Sequence, residues 1–200
     1  SDDNKGNPDN TTKRTLGVGF KHDKNGLSWC INKAQGYSWS NAPRCPYKKN
    51  EEIYTFSGSK NGSNIFEKIG KNLRDYSVDP IFASYSISDD TNDLDKYPAF
   101  KFGKEYSTPA TVGKAYDKTG WYLPSVAELY EIYKVKEMVN EVSSFCEGDL
   151  FGSDKYWSSS GDSSPSSPIT YANFIEFSDG TVGGMYKNYD FAKVCAIREF

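Results

Sequence analysis

The chain has 200 residues, with 24 Lys and Arg against 27 Asp and Glu, for a net charge of −3. That balance excludes the basic excess a nucleic-acid binder needs to neutralise phosphates. A mean hydropathy of −0.71 with no long apolar run excludes a spanning helix. Only 36% of residues are apolar but 16% are aromatic, so a core must be built largely from rings.

Ser1 to Arg14 hold no large apolar residue and read as a disordered tether ahead of one folded domain, 15–200. From Leu16 to Phe56, the runs LGVGF, LSWCI and IYTF predict short strands. Asn25-Gly26 between the first two predicts a hairpin turn. Asn64 with Glu67 has capping-box spacing, and Ile65, Ile69 and Leu73 follow on one helical face. Residues 77–107 read as irregular, with Asp89, Asp90, Asp93 and Asp95 in a solvated loop lacking EF-hand order. Thr108-Pro109 opens a predicted helix that ends before Gly120.

The strongest helical signal spans 125–142. Ser125 and Glu128 form a second capping box. Val126, Leu129, Ile132, Val135, Val139 and Val142, with Tyr130 and Tyr133, give a wide apolar face that reads as core. After Tyr156-Trp157, the run SSSGDSSPSSP is too poor in apolar side chains to read as core. YANFIEF and TVGGMYK, joined through Ser178-Asp179-Gly180, predict a hairpin with Asp-Gly as its turn. Alternation points Ile175, Phe177 and Val182 inward and Phe174, Ser178 and Asp179 outward, joined by Thr181 and the loop residues Tyr186, Asn188, Tyr189, Asp190 and Phe191. KNYDF reads as a loop, and KVCAIREF as a closing strand.

The inventory of reactive groups is thin. His22 is the single histidine, so a Ser/His or Cys/His nucleophile has little to draw on. Cys30, Cys45, Cys146 and Cys195 show no CxxC spacing, which argues against zinc and leaves three disulfide pairings open. The reading is non-enzymatic, with no catalytic residue, metal or cofactor expected. Gly161 to Phe191 is instead dominated by Tyr, Ser, Gly, Asn and Asp, the composition of antibody contact loops.

Several pieces occur in one order: Gly120-Trp121-Tyr122-Leu123-Pro124-Ser125, Glu128-Leu129, Tyr156-Trp157-Ser158-Ser159-Ser160, Phe177, Gly180 and Val194 to Phe200. The set resembles a bacterial family of C-type lectin-fold surface domains of the formylglycine-generating-enzyme type. Phe56 to Asn64 and Tyr97 to Phe100 resemble its treponemal members, lipoproteins diversified by a retroelement. The resemblance implies an α+β, C-type lectin-like fold, two helices (108–118 and 125–142) packed on a small twisted antiparallel sheet. It implies a variable ligand-binding region at about 157–193, in which adenines of Asn codons are rewritten on a fixed scaffold. The implied ligand-binding positions are Asn173, Phe174, Ser178, Asp179, Thr181, Gly183, Gly184, Tyr186, Asn188, Tyr189, Asp190 and Phe191. Glu176 shares the position pattern, although Asn codons do not yield Glu by this route.

The expected partner is a macromolecule, protein ahead of glycan, bound by a monomeric chain held at the cell surface by an N-terminal lipid anchor. A glycan- or glycosaminoglycan-binding adhesin is the alternative, weakened because Lys187 and Lys193 stand isolated near the site. The chain lacks the family enzymes' closely spaced cysteine pair and the Glu-Pro-Asn or Gln-Pro-Asp loop of calcium lectins. Asp117 stands where many relatives carry a helix cysteine, so the relatives' long-range bridge to Cys195 is not expected to carry over; a Cys146–Cys195 bridge is a guess, and the pairing stays open.

Overall fold

The computed structural model describes residues 15–34, 37, 94–107, 121–161 and 170–199. The tether, the IYTF strand, the helices expected from Asn64 and Thr108, and Cys45 lie outside them. Among the described residues the class is α+β, with three helices and two three-stranded antiparallel sheets.

The first sheet joins the two ends of the domain. β1 (Leu16–Val18) and β2 (Trp121–Tyr122) flank β6 (Ile197–Glu199), with Val18 and Tyr122 both opposite Ile197. Beyond β1 the chain keeps running along the C-terminal segment. Gly19, Asp23 and Leu27 donate their N–H groups to the carbonyls of Ala196, Val194 and Ala192 at 2.8, 2.9 and 3.0 Å. LSWCI is therefore not a strand partner of LGVGF. Asn25-Gly26 bends a segment whose partner lies far along the chain, and it closes no local hairpin.

α1 (Pro98–Lys104) falls inside the stretch that reads as irregular, with Pro at its first position, where no intrahelical N–H is needed. It buries Ala99, Phe100 and Gly103. Asp95 lies in a single 3-10 turn before it, Leu94–Lys96.

α2 (Val126–Lys134) begins at the capping box that the sequence predicts. Ser125 Oγ accepts from the Glu128 N–H at 3.2 Å, and the Glu128 carboxylate accepts from the Ser125 N–H at 2.8 Å. The Tyr122 hydroxyl also donates to Glu128 at 3.0 Å, so this buried acid is well partnered. Val126, Leu129 and Ile132 are buried. The helix breaks at Val135 and resumes as α3 (Lys136–Phe145). Past that break the apolar face is not core: Val135 and Val142 stand in solvent, and only Val139 still packs inward.

The second sheet carries the hairpin. β4 (Tyr171–Glu176) lies between β3 (Lys155–Gly161) and β5 (Val182–Tyr186). Ser158, Ser159 and Ser160 lie in β3 and are fully buried, contrary to the reading of that run as too polar for core. Two of the three hydroxyls are bonded, and Ser159 Oγ is buried with no hydrogen-bond partner among the described residues. The Ser158 hydroxyl donates to the Asn173 carbonyl at 2.9 Å, and Ser160 Oγ accepts from the Val126 N–H at 3.1 Å. Buried hydroxyls are tolerated when bonded.

Residues 192–197 join the two sheets and separate two cores. Trp157 N–H donates to the Lys193 carbonyl, and Lys193 N–H donates to the Lys155 carbonyl. Ala192 and Val194 face one cluster, with Trp29, Phe100, Trp157 and Phe174. Cys195 and Ile197 face the other, with Leu129, Phe151, Tyr156, Ile175 and Phe177. Both indole N–H groups find carbonyls: Trp29 on Ser158 at 2.9 Å and Trp157 on Leu27 at 2.7 Å. Cys195 is a buried free thiol and Cys146 an exposed one, so the guessed bridge between them is absent.

Candidate functional site

The β4–β5 hairpin is held from one side by rings. Ile175 pairs with Tyr156 and Val182 across the sheet, and all three meet the second core cluster. Phe177 follows and stacks on Phe151 with centroids 4.6 Å apart. The expected inward set, Ile175, Phe177 and Val182, is therefore correctly placed. The turn itself is longer than a two-residue Asp-Gly turn. Ile175 faces Val182, the Glu176 N–H bonds the Thr181 carbonyl, and Phe177 to Gly180 form the loop. Gly180 takes φ 78°, the left-handed conformation that glycine adopts without strain.

Three groups of candidate residues emerge. The first is the turn: Ser178, Asp179 and Thr181 are exposed, as expected from alternation. The Thr181 N–H donates to Asp179 Oδ1 at 2.8 Å, and that hydrogen bond holds the carboxyl below its usual range.

The second group sits on the sheet face opposite Ile175. Phe174 was expected to point outward into solvent, yet it is only 8% exposed. Both sheet faces are covered here, so alternation sends it to the other core. Its ring lies edge-on to Phe191 at 5.1 Å and to Trp157 at 6.3 Å, and Phe191 also meets Trp157 at 5.2 Å. Gly183 lies opposite Phe174 in the ladder and leaves room for that ring. At the rim, Lys155 Nζ lies 5.7 Å from the Phe174 ring and 5.6 Å from the Phe191 ring, at cation–π distance. The same ammonium lies 3.7 Å from the Glu176 carboxylate.

The third group is a row of tyrosines. Tyr171 and Tyr186 face each other across the ladder with rings 4.5 Å apart. Tyr189 continues the row at 5.3 Å from Tyr186 and is 48% exposed. Tyr171 and Lys155 are absent from the sequence-predicted set. Tyr171's signal was available, since it opens YANFIEF opposite the Tyr186 end of the predicted hairpin. Lys155 precedes the predicted variable stretch and could be found only through strand register.

The remaining candidates divide. Asn173 is fully buried, with its amide Nδ2 on the Gly183 carbonyl at 3.4 Å, and it is not a surface contact. Gly184, opposite Asn173, and Asn188 are half-buried, while Asp190 is exposed. Lys187 is fully buried with Nζ 4.8 Å over the Trp29 ring, and Lys193 pairs with Asp154 at 2.7 Å. The two lysines read as isolated are therefore both engaged.

Three of the described ionisable groups, His22, Tyr156 and Cys195, are buried. His22 lies between the Phe151 and Tyr156 rings at 4.3 and 5.3 Å, with Nδ1 2.9 Å from the Tyr156 hydroxyl. Burial lowers its pKa to about 4, outweighing the nearby Asp149 and Asp154, so the ring is neutral near pH 7. Burial pushes Tyr156 well above the usual phenol range and the Cys195 thiol up to about 12. Among the described residues, no three His, Cys, Asp or Glu side chains converge to hold a metal ion.

No protein-family model matches the chain. No curated protein matches it significantly.

Proposed function

We propose that this chain is a ligand-binding receptor of the cell surface, built on a C-type lectin-like fold, whose site is formed by the exposed turn of the β4–β5 hairpin and by the 187–191 loop. The observation that carries the reading is the division of labour along one hairpin. Ile175 and Phe177 fill the core, while Ser178, Asp179, Thr181, Tyr189 and Asp190 stand exposed. Such a frame tolerates changes at its outer positions, because surface substitutions away from packed features cost little. Exposed tyrosine contributes contact area at low entropy cost. The buried His22, Tyr156 and Cys195 support a binding role over a catalytic one.

In this reading the ligand is a macromolecule, and a protein fits better than a glycosaminoglycan. A polyanion needs accessible cations, whereas Lys155 is engaged with Glu176, Lys193 with Asp154, and Lys187 is buried. Diversification by a retroelement, a monomeric state and lipid anchoring at the surface rest on the resemblance of the ordered motifs. The nucleotide sequence of the locus tests the diversification. A near-duplicate of the codons for about 150–197, with adenines at the outward positions, is expected. A locus without such a duplicate refutes it.

A further inference from the structure

α3 and the break that precedes it leave a row of large apolar side chains in water. Val135, Met138, Val142 and Phe145 are 46%, 66%, 61% and 85% exposed. Their spacing of three, four and three residues is that of a coiled-coil seam. Single exposed apolar residues are ordinary, but a contiguous row is not. The row is not needed to seat α3. Val139 packs on the core, Ser143 is buried, and the Asn140 side chain bonds both backbone groups of Phe151 at 2.9 and 2.8 Å.

Acids border the row. Glu137, Glu141 and Glu147 are exposed, and Glu137 meets Lys136 only at 3.7 Å. The nearby cations each have a bond of their own, and Lys21 Nζ donates to the Glu147 carbonyl at 2.6 Å, at the Phe145 end of the row. Lys134 pairs with Glu131 at 2.7 Å, Lys136 donates to the Phe177 carbonyl at 3.0 Å, and Lys24 pairs with Asp149 at 3.3 Å. A second copy of the chain fits this face poorly. Antiparallel pairing about Met138 and Val142 sets Glu141 beside its own mate.

We propose that the outer face of α3 docks a basic amphipathic helix of a partner protein. The partner's apolar side chains, recurring every three to four residues, lie on the row, and its Lys or Arg side chains meet the glutamates. Met138, at the row's middle, adapts to varied partner side chains. The surface is distinct from the hairpin site and does not depend on that reading.

The probe is a synthetic Leu/Lys peptide of about 18 residues with helical amphipathic patterning, tested against a scrambled peptide of the same composition. Binding to the full chain is read by calorimetry and by the alkylation rate of Cys146, the exposed thiol adjoining Phe145. The patterned peptide binds in preference to the scramble, weakens with salt and slows alkylation. Met138→Glu with Phe145→Glu weakens it roughly tenfold or more while leaving the melting midpoint unchanged, because both side chains are already in water. Glu137→Lys with Glu141→Lys also weakens it and flattens the salt dependence. Equal binding of both peptides, binding indifferent to these variants, a dimer in sedimentation that the Met138/Phe145 variant abolishes, or a Cys146 protected before peptide is added each overturns the proposal.

Discussion

Gly183→Ala tests whether a position inside the hairpin is free to vary. A Cβ built there lies 2.3 Å from Phe174 Cζ and 2.8 and 3.0 Å from its two Cε atoms. Restoring an ordinary carbon contact of roughly 3.5 Å needs the ring to retreat by about 1.2 Å. It has nowhere simple to go, because Phe191 and Trp157 stand edge-on at 5.1 and 6.3 Å. Overpacking of this kind costs about 1–3 kcal/mol. Alanine recovers about 0.5–1 kcal/mol of the backbone entropy that glycine loses on folding. The net expectation is a destabilisation of about 1–2 kcal/mol, read from urea unfolding of the full chain by circular dichroism. Phe174→Ala alone creates a cavity and costs roughly 3 kcal/mol. The double variant should be more stable than the sum of the two, with a coupling of about 1–2 kcal/mol, since the new methyl fills vacated space. A Gly183→Ala chain as stable as its parent, or strictly additive costs, would refute the packing argument. If it holds, positions 174 and 183 cannot diversify independently.

Leu129→Ala should cost about 2–5 kcal/mol, whereas Val142→Ala, on the same predicted helical face but in solvent, should stay within about 0.5 kcal/mol in the same assay. Tyr189→Ser should be equally mild, but Phe191→Ser should lower the denaturation midpoint, because its ring supports Trp157 and Phe174; equal effects would misplace one of them. His22 is neutral when folded, with its pKa lowered from 6.5 to about 4, so the unfolded chain binds the extra proton between those values. Stability should therefore be fully present above about pH 6.5 and fall by roughly 3 kcal/mol as pH drops towards 4. Asp149, also held below its usual range, loses its contribution only at lower pH. His22→Gln should flatten the slope across that window, and an unchanged slope would show that other groups set it.

Much of this architecture is legible in the residues, and the failures have specific causes. The Ser125–Glu128 box and the 171–186 hairpin are local, so short spacing suffices to find them. Phe174 fails because alternation reports two faces and not which of them meets water; here both meet core. Val142 fails for a related reason, since helical periodicity is the same for an apolar row that packs and one that does not. Ser158 to Ser160 read as surface because their partners, the Asn173 carbonyl and the Val126 N–H, are remote in sequence. The same remoteness hides the pairing of Leu27 with Ala192, which replaces the hairpin expected at Asn25-Gly26. α1 is two turns long and too short to announce itself by periodicity. At the site, the outward turn residues follow from alternation, whereas Tyr171 and Lys155 emerge only when β4 is set against β5 and β3.

The central claim is that an outward set changes while an inward frame stays fixed. Sequencing many copies of this gene from one growing population measures that directly. The account predicts amino-acid differences concentrated at Ser178, Asp179, Thr181, Tyr186, Asn188, Tyr189 and Asp190, and arising from adenine positions. Tyr156, Trp157, Ile175, Phe177 and Val194 to Ile197, all buried, should be invariant. A uniform gene, or differences spread equally over those buried positions, would contradict it.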